Sequence, residues 1–305
     1  MGVNSMFNPD NYNPRKDTQA WLNWLLERVK DVPYDVTGRW AFYRILQEYG
    51  FPKGAYHTKF IPRTSDARKA FWNGWTLTTF IDDTREILNP YGHGFTSVRK
   101  WLESQRDKRP LFNVEDDQEN VVFVGFEAQA MQSQFQYHLG DYRVCLMPFK
   151  GDASIPHKRN ISMAIQQAHK VYGKPIKFLY FGDCDRKGDQ IPESAMRDIE
   201  RWAKVAQWPK GDFEYKRIGI NPEHIKEFNI PLNPDEPKKF QWEALDEKSA
   251  QYLIEQVFDY WSKDGIAITK KKEEESGKLW KTIMGKNLEN AIAKIADEEV
   301  QGEHG

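Results

Sequence analysis

The chain has 305 residues, of which 39% are hydrophobic and 14% aromatic, enough apolar material for a packed core, and this excludes a wholly disordered chain. No run of about eighteen apolar residues occurs, which excludes a membrane-spanning helix, and two cysteines, Cys145 and Cys184, are too few for a disulfide framework or a zinc knuckle. The net charge of −1 speaks on average against a nucleic-acid binder, yet residues 1–110 carry 17 Lys and Arg against 12 Asp and Glu.

The first segment, MGVNSMFNPDNYNPRKD, lacks the apolar stretch of a secretory signal, so a reduced, cytoplasmic protein is expected. Trp21, Leu22, Leu25 and Leu26 share one face of a helix predicted from Thr18 to Lys30 and stopped by Pro33. Thr37 is positioned to cap a second helix carrying Trp40, Tyr43, Ile45, Leu46 and Tyr49, ended by Gly50 and Pro52. A third, basic helix is expected from Thr64 to Trp72, followed by Gly74 and the β-rich stretch WTLTTFI. Three helices and then a short strand pair is the order of a winged helix-turn-helix.

After the charged, Pro-containing loop SQRDKRPLFNVEDDQEN the pattern changes. Strands are predicted at 120–126, 142–147, 176–181 and 213–220, alternating with helices at 128–138, 157–172 and 189–206. Apolar strands alternating with helices predict an α/β domain with a parallel sheet. Beyond Pro237 helices are expected from Ala244 to Trp261 and from Leu279 to Ala296, with KKKEEES at 270–276 as a charged break. Three consecutive domains follow from this reading: an N-terminal helical domain at 1–115, an α/β domain at 116–235 and a C-terminal helical extension at 236–305.

In open parallel sheets chemistry sits at the carboxyl ends of the strands. The first predicted strand runs into Gly125-Phe126-Glu127, and the third into Phe181-Gly182-Asp183-Cys184-Asp185-Arg186-Lys187-Gly188-Asp189. If these strands are neighbours, Glu127, Asp183 and Asp185 converge. Three ionised carboxylates need a counter-charge, and Mg²⁺ (or Mn²⁺) suits them, taking oxygen ligands and keeping waters for a phosphate substrate. An EF-hand calcium loop is excluded by Lys187 at its fifth position and Ser194 at its twelfth. A phosphotransfer aspartate of the haloacid-dehalogenase kind usually lies on the first strand, not the third. The plain alternative is a helix-capping acid beside two solvent-facing acids.

A Glu closing the first strand and Asp-x-Asp-x-x-Gly closing a later one resembles the Toprim domain. The stretch from Asp183 to Ile191 is similar to the Asp-x-Asp-Pro-x-Gly-x-x-Ile segment of the topoisomerase VI A subunit and its meiotic double-strand-break relative, with Arg186 in place of the usual Pro. Met147-Pro148-Phe149-Lys150-Gly151-Asp152-Ala153-Ser154 resembles the Gly-containing loop after that family's second strand, and RIGINPEHIKEFNIP and FQWEALDEKSAQYLIEQVF look like the closing segments of small phage and plasmid members. The resemblance covers residues 35–260. It implies a winged-helix domain followed by a Toprim domain, a Rossmann-like parallel sheet, with Glu127, Asp183 and Asp185 as metal ligands.

The same family carries its DNA-attacking tyrosine in a basic-then-aromatic helix motif, which Gly38-Arg39-Trp40-Ala41-Phe42-Tyr43-Arg44 matches. Tyr43 falls at the nucleophile's position, and a neutral phenol needs a cation such as Arg39 or Arg44 beside it; aromatics at this helical spacing are also ordinary core residues. Ile81-Asp82-Asp83-Thr84-Arg85-Glu86 resembles the end of that domain. Arg44, Arg63, Arg68, Lys69, Lys150, Lys158 and Arg159 are candidate DNA contacts. The resemblance implies a homodimer in which one protomer's tyrosine acts at the other's metal; with no ATP-binding motif in the chain, strand passage would need a separate ATPase subunit. Three functions stay open: a topoisomerase-like DNA-cleaving enzyme, a hydrolytic Toprim nuclease with water as nucleophile, and an inactive DNA-binding or assembly module. RNA also stays open as a substrate.

Overall fold

Four strands form one all-parallel sheet in a computed structural model: β1 (Val121–Phe126), β2 (Cys145–Pro148), β3 (Ile176–Phe181) and β4 (Phe213–Gly219), in the order β2-β1-β3-β4. The structure describes residues 9–81, 94–106, 108–128, 131–149, 153–230 and 239–302. β1 takes a central place because all six of its residues are apolar or Gly and all are buried, whereas β4, at the edge, alternates between covered and exposed side chains over its first half. In the middle of the sheet Gly125 has no substitute. A Cβ there would lie 2.8 Å from the Phe178 ring and 3.0 Å from the Phe149 ring, so the aromatic layer packs directly on the backbone.

The helices α5 (Gln132–Leu139), α6 (Ile155–Tyr172) and α7 (Arg186–Ala203) join successive strands. Ser154 caps α6 by accepting from the His157 N–H, and Gly173, at φ 60°, ends it in the left-handed region that glycine favours. Phe123, Phe149, Ile161, Ile165, Phe178, Tyr180, Met196 and Ile199 form the core on one face of the sheet. Full burial of a large apolar side chain is worth about 1.5–3 kcal/mol. The path from β1 runs to β2 on one side and returns to β3 on the other, so the strand order reverses between β1 and β3. In such sheets a crevice opens at the carboxyl ends of the two strands that flank the reversal.

The N-terminal helices are α1 (Lys16–Lys30), α2 (Gly38–Glu48) and α3 (Ile61–Lys69), the last preceded by a π-helical turn at Tyr56–Phe60. Thr37 caps α2 through the Trp40 N–H at 3.2 Å. Trp21, Leu22, Leu25, Phe42, Ile45, Phe60 and Trp75 pack into their shared core. The strand pair expected from WTLTTFI does not form among the described residues: Trp75–Ile81 makes turns, with one parallel bridge between Thr37 and Ile81. The threonines explain the difference, because the Thr79 hydroxyl accepts from the Thr76 N–H at 2.8 Å and holds the chain in a tight turn. Residues 82–86 of the motif that begins at Ile81 lie outside the described residues.

The described residues of 1–85 and 120–260 form one compact unit, and those of 86–119 and 261–305 a second. The first also holds α8 (Pro222–Glu227) and α9 (Glu247–Glu255). The second is built on α4 (Val98–Glu103) and the 40-residue α10 (Lys263–Gly302). The charged run at 270–276 does not break the chain. It lies inside α10, where the fully buried Glu273 accepts from the Phe112 N–H at 2.9 Å and Lys272 pairs with Asp117 at 2.6 Å. Among the described residues no helix is long and apolar enough to cross a membrane.

Candidate active site

The β1–β3 pairing brings the two acidic strand ends together. Phe126 and Phe181 are register partners, and the Glu127 N–H donates to the Phe181 carbonyl at 2.9 Å. The Asp183 N–H then donates to Glu127 Oε2 at 2.9 Å. This contact demands glycine at 182: a Cβ there would lie 2.7 Å from Glu127 Oε2 and 2.9 Å from the Tyr180 ring. Asp185 follows two residues on, near enough for its charge to act on both Glu127 and Asp183. The sheet thus sets Glu127 beside Asp183 at the β1–β3 crevice, with Asp185 near them.

A distant segment completes the crevice. Phe240 and Cys184 exchange backbone hydrogen bonds at 2.8 and 3.1 Å, and the Trp242 N–H donates to Asp183 Oδ1 at 2.9 Å. The Trp242 indole is buried and donates to Gln134 Oε1 at 2.8 Å, anchoring the segment to α5. The short turn Trp242–Ala244 carries Glu243 into the site, where it is only 6% exposed.

The helix α2 packs on the same turn. Arg44, 8% exposed, donates to the carbonyls of Glu243 and Leu245 at 2.5 and 2.8 Å, so its guanidinium clamps the turn and does not face solvent. One turn earlier, Arg39 faces both the Tyr43 hydroxyl and the Glu243 carboxylate, with Nε 3.6 Å from Glu243 Oε1. Tyr43, 8% exposed, donates its hydroxyl to Gln241 Oε1. The expected nucleophile and its arginine therefore lie near Glu243 and Asp183 of the same chain.

The electrostatics follow from this crowding. Burial, then the charges of Glu243 and Glu127, push the Asp183 carboxyl well above the usual carboxylate range. Glu127 is raised by burial and by Asp185 and Glu243, against the opposing pull of the Asp183 N–H and Arg217. Tyr43 is raised by burial and Glu243, with Arg39 working in the other direction. Arg217 on β4 supports the acidic loop, donating to the Asp183 carbonyl at 2.5 Å and the Ile220 carbonyl at 3.1 Å.

The site's fit to a divalent cation rests on this donor set. It is all oxygen and strongly anionic, and it includes a buried carboxylate oxygen, Glu243 Oε1, that makes no hydrogen bond. Among the described residues no three His, Cys, Asp or Glu side chains converge as a ready-made cage. Mg²⁺ does not require one, since it is ordinarily held by one or two carboxylates together with waters and substrate phosphates.

The remaining expected residues lie elsewhere. Arg63 is exposed and pairs with Asp66 at 3.5 Å, Arg68 lies over the Phe80 ring at 5.2 Å, and Lys69 is exposed. Lys158 is buried in an ion pair with Asp198, and Arg159 is exposed on α6. Lys150 lies outside the described residues. Glu243, Gln241 and Arg217 were not anticipated individually; the available signal was their place in the quoted segments FQWEALDEKSAQYLIEQVF and RIGINPEHIKEFNIP.

Comparison with known protein families, with curated proteins and with solved structures gives no match to the chain.

Proposed function

We propose that this protein cleaves DNA phosphodiesters with the help of a divalent cation, using Tyr43 as the nucleophile. The observation that carries the reading is the convergence, within one chain, of a buried tyrosine, an arginine facing its hydroxyl and a desolvated set of carboxylates at the β1–β3 crevice. Glu127 and Asp183 would hold Mg²⁺ or Mn²⁺, with Asp185 beside them. The cation supplies positive charge that offsets the carboxylates and polarises a phosphate oxygen.

Arg39 lowers the cost of charging the Tyr43 phenol, since its guanidinium favours the phenolate. Tyr43 Oη gives up its proton to solvent and forms the new bond to phosphorus as the bond to the 3′ oxygen breaks. That oxygen takes up a proton and leaves as a 3′-hydroxyl, while the protein stays linked to the other fragment as a phosphotyrosine. The phenol lies at its own chain's carboxylates, so one chain supplies both halves of the reaction, and a pair of chains would cut both strands of a duplex. A separate ATPase would be required only for strand passage.

A second reading is favoured by one observation: the Tyr43 hydroxyl is buried and already donates to Gln241. In that case water attacks and Tyr43 is structural. The test incubates supercoiled plasmid with Mg²⁺ or Mn²⁺ and compares the wild type with Tyr43→Phe, Glu127→Ala and Asp183→Ala. Transesterification predicts loss of cleavage in all three variants. Retained cleavage by Tyr43→Phe alone, with protein-free ends, establishes hydrolysis.

A further inference from the structure

A cleft of about 740 Å³ lies between the end of α1, with the loop that follows it, and one side of α5. That volume is in the range of small-molecule sites, and none of the residues gathered at the β1–β3 crevice lines it. Ser133, Gln136 and Tyr137 reach it from α5, where their i, i+3, i+4 spacing puts them on one side of the helix. Lys30 is the last residue of α1, and Asp35 follows in the loop. A Cβ at Gly74 would lie 3.7 Å from Lys30 Nζ, which sets the amine against the Gly74 backbone at the cleft.

Two aromatic rings give the cleft its chemistry. Tyr34 and Tyr137 both line it, with ring centroids 5.9 Å apart. The Tyr34 ring is held in place, because its hydroxyl donates to Glu247 at 2.5 Å and accepts from Gln134 at 3.0 Å. Tyr137 is 52% exposed, a large aromatic surface left uncovered beside polar groups. Among the described residues the side chains of Lys30, Asp35, Ser133 and Gln136 make no hydrogen bond or ion pair, so all four are available to a ligand. One cation and one acid among the described lining residues cancel in charge, which disfavours a free anion and suits a flat, neutral ligand with donors and acceptors on its rim. A nucleobase is such a ligand: its face stacks on a tyrosine, while Asp35 accepts from its edge and Gln136 both donates and accepts. Lys30 and the cationic surplus of residues 1–110, 17 Lys and Arg against 12 Asp and Glu, suit the adjoining phosphates. In a duplex the base faces are stacked and the edges paired, so only an unpaired base can enter. We infer that this cleft binds an unpaired nucleobase, with Tyr137 as its stacking platform. The site goes beyond the cleavage reading and does not depend on it.

The test is fluorescence anisotropy of labelled oligothymidine, single-stranded or annealed to its complement, with the full-length protein in EDTA, so that no divalent cation takes part. The wild type is expected to bind the single strand more tightly than the duplex. Tyr137→Ala should weaken single-strand binding about 5–150-fold, the loss of one base–aromatic stack, and leave duplex affinity unchanged. Tyr137→Phe keeps the ring and should keep wild-type affinity. Because Tyr137 is half exposed, both variants should melt at the wild-type temperature. Competition separates two sources of the base: free thymidine displaces the strand if the cleft takes a nucleoside alone, and fails to displace it if the flanking phosphates are needed. Unchanged single-strand affinity in Tyr137→Ala overturns the inference, as does an equal loss in Tyr137→Ala and Tyr137→Phe, or a wild type that binds neither the strand nor thymidine. None of these three results touches the cation-dependent cleavage reading, which the plasmid assay tests separately.

Discussion

At the scale of single residues, the site is a place where local stability is sacrificed to gather charge. Asp183 and Glu127 hold their protons more tightly in the folded chain than in the unfolded one, because burial and neighbouring carboxylates oppose ionisation. A raised acid contributes stability that is fully present below its unfolded value and is lost as pH rises through its folded value. Without divalent cations, the wild type is thus expected to melt at higher temperature as pH falls from 8 toward the ordinary carboxylate range. Asp183→Asn keeps the acceptor for the Trp242 N–H and removes the charge, so it should melt above the wild type at pH 8. The gap should be a few degrees, at about 2–4 °C per kcal/mol, and should narrow as the pH is lowered; a lower melting temperature for Asp183→Asn at pH 8 would contradict the electrostatic account. Gly182 tests the geometry. Because its Cβ would meet Glu127 Oε2 and the Tyr180 ring, Gly182→Ala should cost about 1–3 kcal/mol in denaturant unfolding and displace Glu127, lowering metal affinity as well.

At the scale of elements, the parallel sheet and most of its helices were legible in the sequence, because buried parallel strands are continuous apolar runs and their acidic ends follow directly. The predicted strand at 176–181 coincides with β3. Glu243 was illegible for a physical reason: nothing local marks an acid as buried, and its burial arises from a backbone bridge between Phe240 and Cys184 that no periodicity encodes. Arg44 was read as a candidate DNA contact or a cation beside Tyr43, because nothing local marks its two carbonyl partners about two hundred residues away. The charged run at 270–276 misled in the opposite sense, since Glu273 finds the Phe112 N–H and helix α10 continues through it. Two outcomes are expected. Arg44→Met, which leaves two buried carbonyls without a donor, should destabilise by about 1–3 kcal/mol for each carbonyl, measured by urea unfolding, and Arg44→Lys should only partly restore stability, lacking the planar fork. Glu273→Leu, which leaves the Phe112 N–H unpaired, should cost about 1–3 kcal/mol, with Glu273→Gln recovering most of it.

At the scale of the whole molecule, the net charge of −1 averages over opposed parts. Acids are gathered at the β1–β3 crevice, where a bound cation reverses the local sign, while the exposed Arg63, Lys69 and Arg159 offer positive charge elsewhere on the same compact unit. With net charge near zero, DNA binding by a single chain should be modest and should weaken with added salt, a slope that filter binding across salt concentrations measures directly. The proposed function is narrower than DNA binding: a phenol and a cation-holding set of carboxylates on one chain would act together on a phosphodiester. The most direct measurement incubates end-labelled duplex DNA with the protein and Mn²⁺, quenches with denaturant and looks for label that travels with the protein. A covalent adduct is expected that requires the divalent cation and is lost in Tyr43→Phe and in Asp183→Ala. Cation-dependent cleavage whose ends carry no protein, equal in wild type and Tyr43→Phe, would contradict it.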